Sequence, residues 1–161
     1  MISVNDQQFK WMIITGEYKG GRSKASIDIN QEGHVVFNGS VIKYLEESYA
    51  YTGIKPVELG LTSRYKGFKV SYKGMTNKEC TYRFEVGMAV FTCIEWDLPM
   101  NDNDETTKET TLYFNKGKEG VGKTNIRDLT TLGFRVVFKD KDVPEDTKQD
   151  FNVIITKIEL I

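Results

Sequence analysis

Alternation of apolar and polar residues with a two-residue period runs through most of this chain. In "SKASIDI" (23–29), Ala25, Ile27 and Ile29 fall on one face and polar or charged residues on the other. The same period recurs in "HVVFNGSVI" (34–42), "GFKVSYKG" (67–74), "CTYRFEV" (80–86) and "AVFTCIEWDL" (89–98). It continues in "ETTLYF" (109–114), "LGFRVVF" (132–138) and "FNVIITKIEL" (151–160), with β-branched and aromatic residues throughout. Turn signals separate these runs, among them "QEG" (31–33), "MNDNDETTK" (100–108) and "KDKDVPEDTKQD" (139–150). No segment holds a helical stripe for three turns. The best helical candidate is "NIRDLTTL" (125–132), about two turns in which Ile126, Leu129 and Leu132 share a face. Roughly ten short strands without a real helix predict an all-β, jelly-roll β-sandwich of two antiparallel sheets. Its core is expected at Phe37, Val41, Phe68, Val70, Phe84, Phe134, Val136, Phe138, Val153 and Ile155.

Length and charge narrow the picture. A chain of 161 residues suits one domain, 1–161, with one core, and no repeat or linker divides it. The formal net charge of −1, with acids and bases interleaved, gives no basic face and argues against nucleic acid as a partner. No apolar run reaches the roughly 20 residues of a membrane span, so no insertion is expected. The N-terminal residues do not resemble a leader, so the expected location is cytoplasmic, or secreted or organellar if a leader has been removed. Cys80 and Cys93 are expected to be buried thiols, unless a hairpin sets them side by side in an oxidising compartment.

Residues 117–124, "GKEGVGKT", match the phosphate-binding loop of nucleotide hydrolases. That loop needs a strand before it, a long helix after it and a parallel sheet around it. Here at most two helical turns follow Thr124 before strand behaviour resumes. A nucleotide site is not expected, and 115–124 reads as a glycine-rich connection. His34 is the only histidine, which closes most triad and zinc chemistry. Glu85, Glu95 and Asp97 could serve as paired carboxylates, but acids alternating on a solvent face are the simpler reading. The acidic run 101–105 lacks the glycine and terminal acid of a calcium loop, and Asn38-Gly39-Ser40 fits a glycosylation acceptor that matters only in a secreted chain. No catalytic residue, metal or cofactor is expected.

Aromatic residues are more informative. Tyr44, Tyr49 and Tyr51 crowd into one segment without strict alternation, between two strands. Sugars stack an apolar ring face on Tyr or Trp while nearby polar groups take the hydroxyls. Trp96 and Tyr113 could line the same side, so Tyr49, Tyr51, Trp96 and Tyr113 form the candidate ligand set. Core packing is the competing reading for each ring.

Several landmarks fall in a meaningful order: Trp11 followed by "GGRS" (20–23), then "FNGSV" (37–41), "YKGFKVSYKG" (65–74), "LGFRVVF" (132–138) and "FNVIITKIEL" (151–160). In this order the chain resembles the domain of the complex I intermediate-associated protein 30 family, related to family 11 carbohydrate-binding modules. The resemblance implies a galactose-binding-like jelly roll with a non-catalytic binding role. Gly20, Gly21, Arg22 and Ser23 are its turn candidates; the glycines suit a tight backbone turn, and Arg22 could cap it or clasp an acid. Two functions follow, the first the main expectation and the second its alternative. One is a protein-binding or assembly factor that meets its partner through segments 16–23 and 44–54. The other is a module binding β-glucan-like polysaccharides through the four aromatics.

Overall fold

A computed structural model of the protein describes residues 9–74, 79–88, 91–100, 105–120 and 125–161. The strands, in chain order, are β1 (Trp11–Ile14), β2 (Lys24–Ile29), β3 (Val35–Ile42), β4 (Tyr49–Ile54), β5 (Gly67–Gly74) and β6 (Cys80–Met88). They continue with β7 (Phe91–Leu98), β8 (Lys108–Tyr113), β9 (Lys118–Glu119), β10 (Thr131–Phe138) and β11 (Lys148–Leu160). They form two antiparallel sheets. One has six strands in the order β1-β4-β10-β6-β7-β9, the other five in the order β2-β3-β11-β5-β8. The helices among the described residues are three short 3-10 turns, at Glu17–Lys19, Phe114–Lys116 and Ile126–Asp128.

The two inner faces meet in the core that alternation predicts. All ten expected core residues are buried, at 7% exposure or less. Phe84 sits at the centre, with ring centroids 5.1 Å from Phe134, 5.3 Å from Phe68 and 5.9 Å from Trp96. Edge-to-face and tilted contacts at these distances add to the area that the rings bury.

Three expectations are corrected, and one strand is added. Residues 125–132 do not form two helical turns: one 3-10 turn, capped by the Asn125 side chain accepting from Arg127 N, gives way to β10 at Thr131. Segment 44–54, read as lying between strands, contains β4. Trp11–Ile14 is a strand as well. The connection 115–124 contributes β9, whose Lys118 and Glu119 pair with Glu95 and Ile94 at the sheet edge. The remainder of the phosphate-loop pattern, 121–124, and the acidic residues 101–104 lie outside the described residues.

Cys80 and Cys93 are both buried and unbonded. The β6–β7 register pairs Tyr82 with Leu98 and Val86 with Ile94, which sends the two cysteines to opposite ends of the hairpin. Burial pushes the Cys80 thiol up to about 12, helped by the charge of Glu79, so it is no nucleophile.

Candidate functional site

The outward face of the six-stranded sheet carries the most specialised cluster. β4, β10 and β6 lie side by side, and their registers fix which outward side chains adjoin. Arg135 lies opposite Tyr51 on one side and Arg83 on the other, while Gly133 lies between Gly53 and Glu85. A β-carbon at Gly53 or Gly133 would collide with the Tyr51 hydroxyl. These two glycines are therefore a floor over which the Tyr51 ring lies flat.

Glu85 is only 4% exposed, a carboxylate withdrawn from water on a face expected to be wet. It is held by Arg135, whose Nε donates to both carboxylate oxygens at 2.9 Å. Thr92 Oγ1 adds a weaker contact at 3.5 Å. The Arg135 guanidinium also lies 4.7 Å from the Tyr49 ring centroid and 5.0 Å from that of Tyr51. A cation close to two aromatic faces and paired below with a carboxylate has little freedom left.

Burial pushes the Tyr51 phenol up to about 12; the nearby Glu85 charge adds to this and Arg135 opposes it. Tyr49 is shifted upward too, first by burial, with Glu47 and Tyr18 raising it and Arg135 lowering it. Both phenols therefore stay protonated donors at neutral pH. Tyr51 is nearly covered, at 9% exposure, and supports Arg135 from within. Tyr49 is partly open, and Tyr18, on the neighbouring 3-10 turn, is 76% exposed.

The remaining sequence candidates lie elsewhere. Along β7, Ile94, Trp96 and Leu98 point inward, so Trp96 is a core residue. Its Nε1 donates to Tyr113 O at 2.9 Å, and its ring offers no open face. Tyr113 is half exposed, but on β8 of the other sheet. The four aromatics thus separate, with only Tyr49 and Tyr51 brought together. Glu85 is buried and ion-paired rather than displayed to solvent; Glu95 and Asp97 do face outward and pair with Lys118 and Arg83.

The "GGRS" stretch is a clamp. Gly20 adopts a left-handed conformation, φ 87°, that ends the 17–19 turn. Gly21 N donates to Gly16 O at 2.9 Å, and a β-carbon on Gly21 would strike the backbone of Thr15 and Gly16. Arg22 stacks 4.7 Å over Tyr44 and pairs with Asp146. Ser23 is fully buried, its Oγ accepting from Ile42 N at 2.9 Å. The motif ties the turn beneath Tyr18 to the loop that leads into β4.

No protein-family model matches the chain, and no curated protein does. The expected complex I intermediate-associated family is thus left without support. Solved structures do match. One is the family 11 carbohydrate-binding module of the cellulosomal cellulase Lic26A-Cel5E of Clostridium thermocellum, at 14% identity and a TM-score of 0.62. The match covers 99% of this chain and 93% of that one. The fold is shared with a carbohydrate-binding module. A second match is the structure of PfGH50B, at 12% identity and a TM-score of 0.51; it covers 94% of this chain but only 22% of the larger protein. At such identities the likeness is one of fold.

Among the described residues, no group of three or more His, Cys, Asp or Glu is placed to hold a metal ion. No helix among them is long and apolar enough to cross a membrane.

Proposed function

We propose that this protein is a non-catalytic carbohydrate-binding module that receives a polysaccharide on the outward face of its six-stranded sheet. The observation that carries the reading is Arg135, held by buried Glu85 and flanked by Tyr49 and Tyr51. Aromatic rings beside a fixed hydrogen-bond donor meet both demands of a sugar, an apolar ring face and a fringe of hydroxyls. Tyr49 and exposed Tyr18 supply the rings that solvent can reach, and Tyr51 is their support. The shared fold with a module of that name favours the same reading, whereas no comparison favours the assembly-factor role.

A non-catalytic role fits the carboxylates. Glycoside hydrolysis needs an acid free to give up its proton and a second carboxylate at a set distance. Both oxygens of Glu85 are engaged by Arg135.

The test is affinity electrophoresis of the whole chain in gels carrying soluble β-glucans, xylans, pectins or galactans. At least one polysaccharide should retard the protein. Tyr49→Ala should weaken that binding about tenfold, the worth of one aromatic platform, while the melting temperature falls by only a few degrees. A chain that no polysaccharide retards, or retardation indifferent to Tyr49→Ala, would defeat the reading.

A further inference from the structure

We infer that the polysaccharide is acidic, and that one of its carboxylate or sulfate groups seats in a basic pocket adjoining the Tyr49–Arg135 cluster; this rests on the carbohydrate-binding reading. The pocket, about 430 Å³, is walled by Lys43, Glu46, Arg83, Val137 and Lys141 among others. It continues the same face. Val137 is the next outward residue of β10 after Arg135 and lies opposite Tyr49, while Arg83 lies opposite Arg135 on β6. Two residues along a strand advance the chain by about 6.8 Å. A sugar stacked at Tyr49 would therefore place its neighbour's substituent over the pocket.

The charges there are uneven. Three cations, Lys43, Arg83 and Lys141, face one carboxylate, Glu46. Arg83 leans on Asp97 at 3.3 Å, a well-exposed partner on the far strand. Lys43 Nζ donates to the backbone carbonyl of Lys141 at 2.7 Å, a contact that fixes the ammonium without neutralising it. Among the described residues, neither Lys43 nor Lys141 has a carboxylate partner. In a chain whose net charge is −1, two lysines without a carboxylate partner among the described residues, set beside a ring-stacking cluster, mark the place for a ligand's anion. The Arg135–Glu85 pair next to it is neutral as a unit. Stacking and charge recognition are therefore divided between adjoining parts of one face.

Matched polymers test this. Calorimetric titration would compare polygalacturonate with its methyl ester, and a sulfated galactan with the same galactan after desulfation. In the pair whose backbone the protein recognises, the acidic form should bind at least about tenfold tighter, as expected of two or three partly screened ion pairs. That margin should shrink as sodium chloride is raised from low to about 0.5 M, where the screening length falls to a few ångströms. Lys43→Gln/Lys141→Gln should bring the acidic-to-neutral ratio close to one without moving the unfolding midpoint. Preference within the first pair assigns a carboxylate, and within the second a sulfate. Equal binding of both members of a recognised pair overturns the acidic-ligand inference and leaves the carbohydrate-binding reading standing. Binding of no polysaccharide overturns both.

Discussion

Removing Arg135 isolates the energetics of the candidate site. Arg135→Ala removes the partner of a carboxylate that is 4% exposed in the wild type, leaving among the described residues only the side-chain contact of Thr92 Oγ1 at 3.5 Å. Breaking one side of a fully buried ion pair costs about 3–5 kcal/mol. The lower end applies here, because the Arg135 side chain is 24% exposed and water can enter the space it leaves. Loss of the contacts with Tyr49 and Tyr51 adds about 0.5–1 kcal/mol each at a partly exposed site. A total of about 4–5 kcal/mol follows, a large share of the roughly 5–15 kcal/mol that holds a domain folded. Replacing both partners by apolar residues of similar length, Glu85→Met with Arg135→Met, should cost far less, within about 1 kcal/mol of wild type, since no charge is stranded. Urea unfolding followed by the fluorescence of buried Trp96 reads all three proteins. The midpoint should fall steeply for Arg135→Ala and little for the double variant, with equal slopes. A loss below about 1 kcal/mol for Arg135→Ala, with single effects that simply add, would mean an ordinary screened surface pair.

Gly133→Ala should cost about 1–3 kcal/mol and abolish polysaccharide binding, because its methyl group would drive the Tyr51 hydroxyl off the glycine floor; calorimetry and thermal melts check both. The fold should fail in alkali earlier than its charge would suggest. Tyr51 and Cys80 are both raised to about 12, and Tyr49, Tyr72 and Tyr82 are also raised, all chiefly by burial. Folded groups that hold protons the unfolded chain would release give their full stability below about pH 8 and lose it as pH rises towards 12; for Tyr51 alone the loss is on the order of 2–3 kcal/mol. Melting curves between pH 8 and 11.5 test this, and a flat profile would refute it. Trp96→Phe should lower stability by about 1–3 kcal/mol through the lost bond to Tyr113 O and the vacated volume, yet leave polysaccharide affinity unchanged once the folded fraction is matched.

Legibility in the sequence followed burial on one face. A strand such as β11 buries one side and shows water the other, so its two-residue period was plain. β4 did not show it, because every residue from Ala50 to Ile54 is buried. Ala50, Thr52 and Ile54 face the core, while Tyr51 is covered by its own packing over Gly53 and Gly133. A strand covered on both sides loses the contrast that alternation reads. The same covering hid the site. Glu85 looks like any outward acid in "CTYRFEV", and only the register of β6 against β10 brings it to Arg135, 50 residues away. Tyr49 and Tyr51 were visible as a crowding of aromatics. Trp96 misled because its place on the inward period of β7 was outweighed by its chemistry. The "GGRS" glycines were legible as backbone geometry, but the clasp of Arg22 onto Asp146 spans 124 residues and needed the fold.

Why such a face should bind rather than only hold together lies in what remains uncommitted. A free arginine carries about 2 kcal/mol of rotamer entropy that a ligand must overcome before any bond to it helps. Here Glu85, Tyr49 and Tyr51 have already removed much of that freedom during folding. Only Nε is committed to Glu85, so the terminal nitrogens are left for Tyr49 and for groups arriving from solvent. An outer-face residue serving stability alone would do as well as Met or Leu, with no buried carboxylate to satisfy. The arrangement instead keeps a fixed planar donor and a half-open ring beside a row of cations on one surface. On the proposed carbohydrate-binding reading, affinity would arise because little ordering is left to do when a sugar docks.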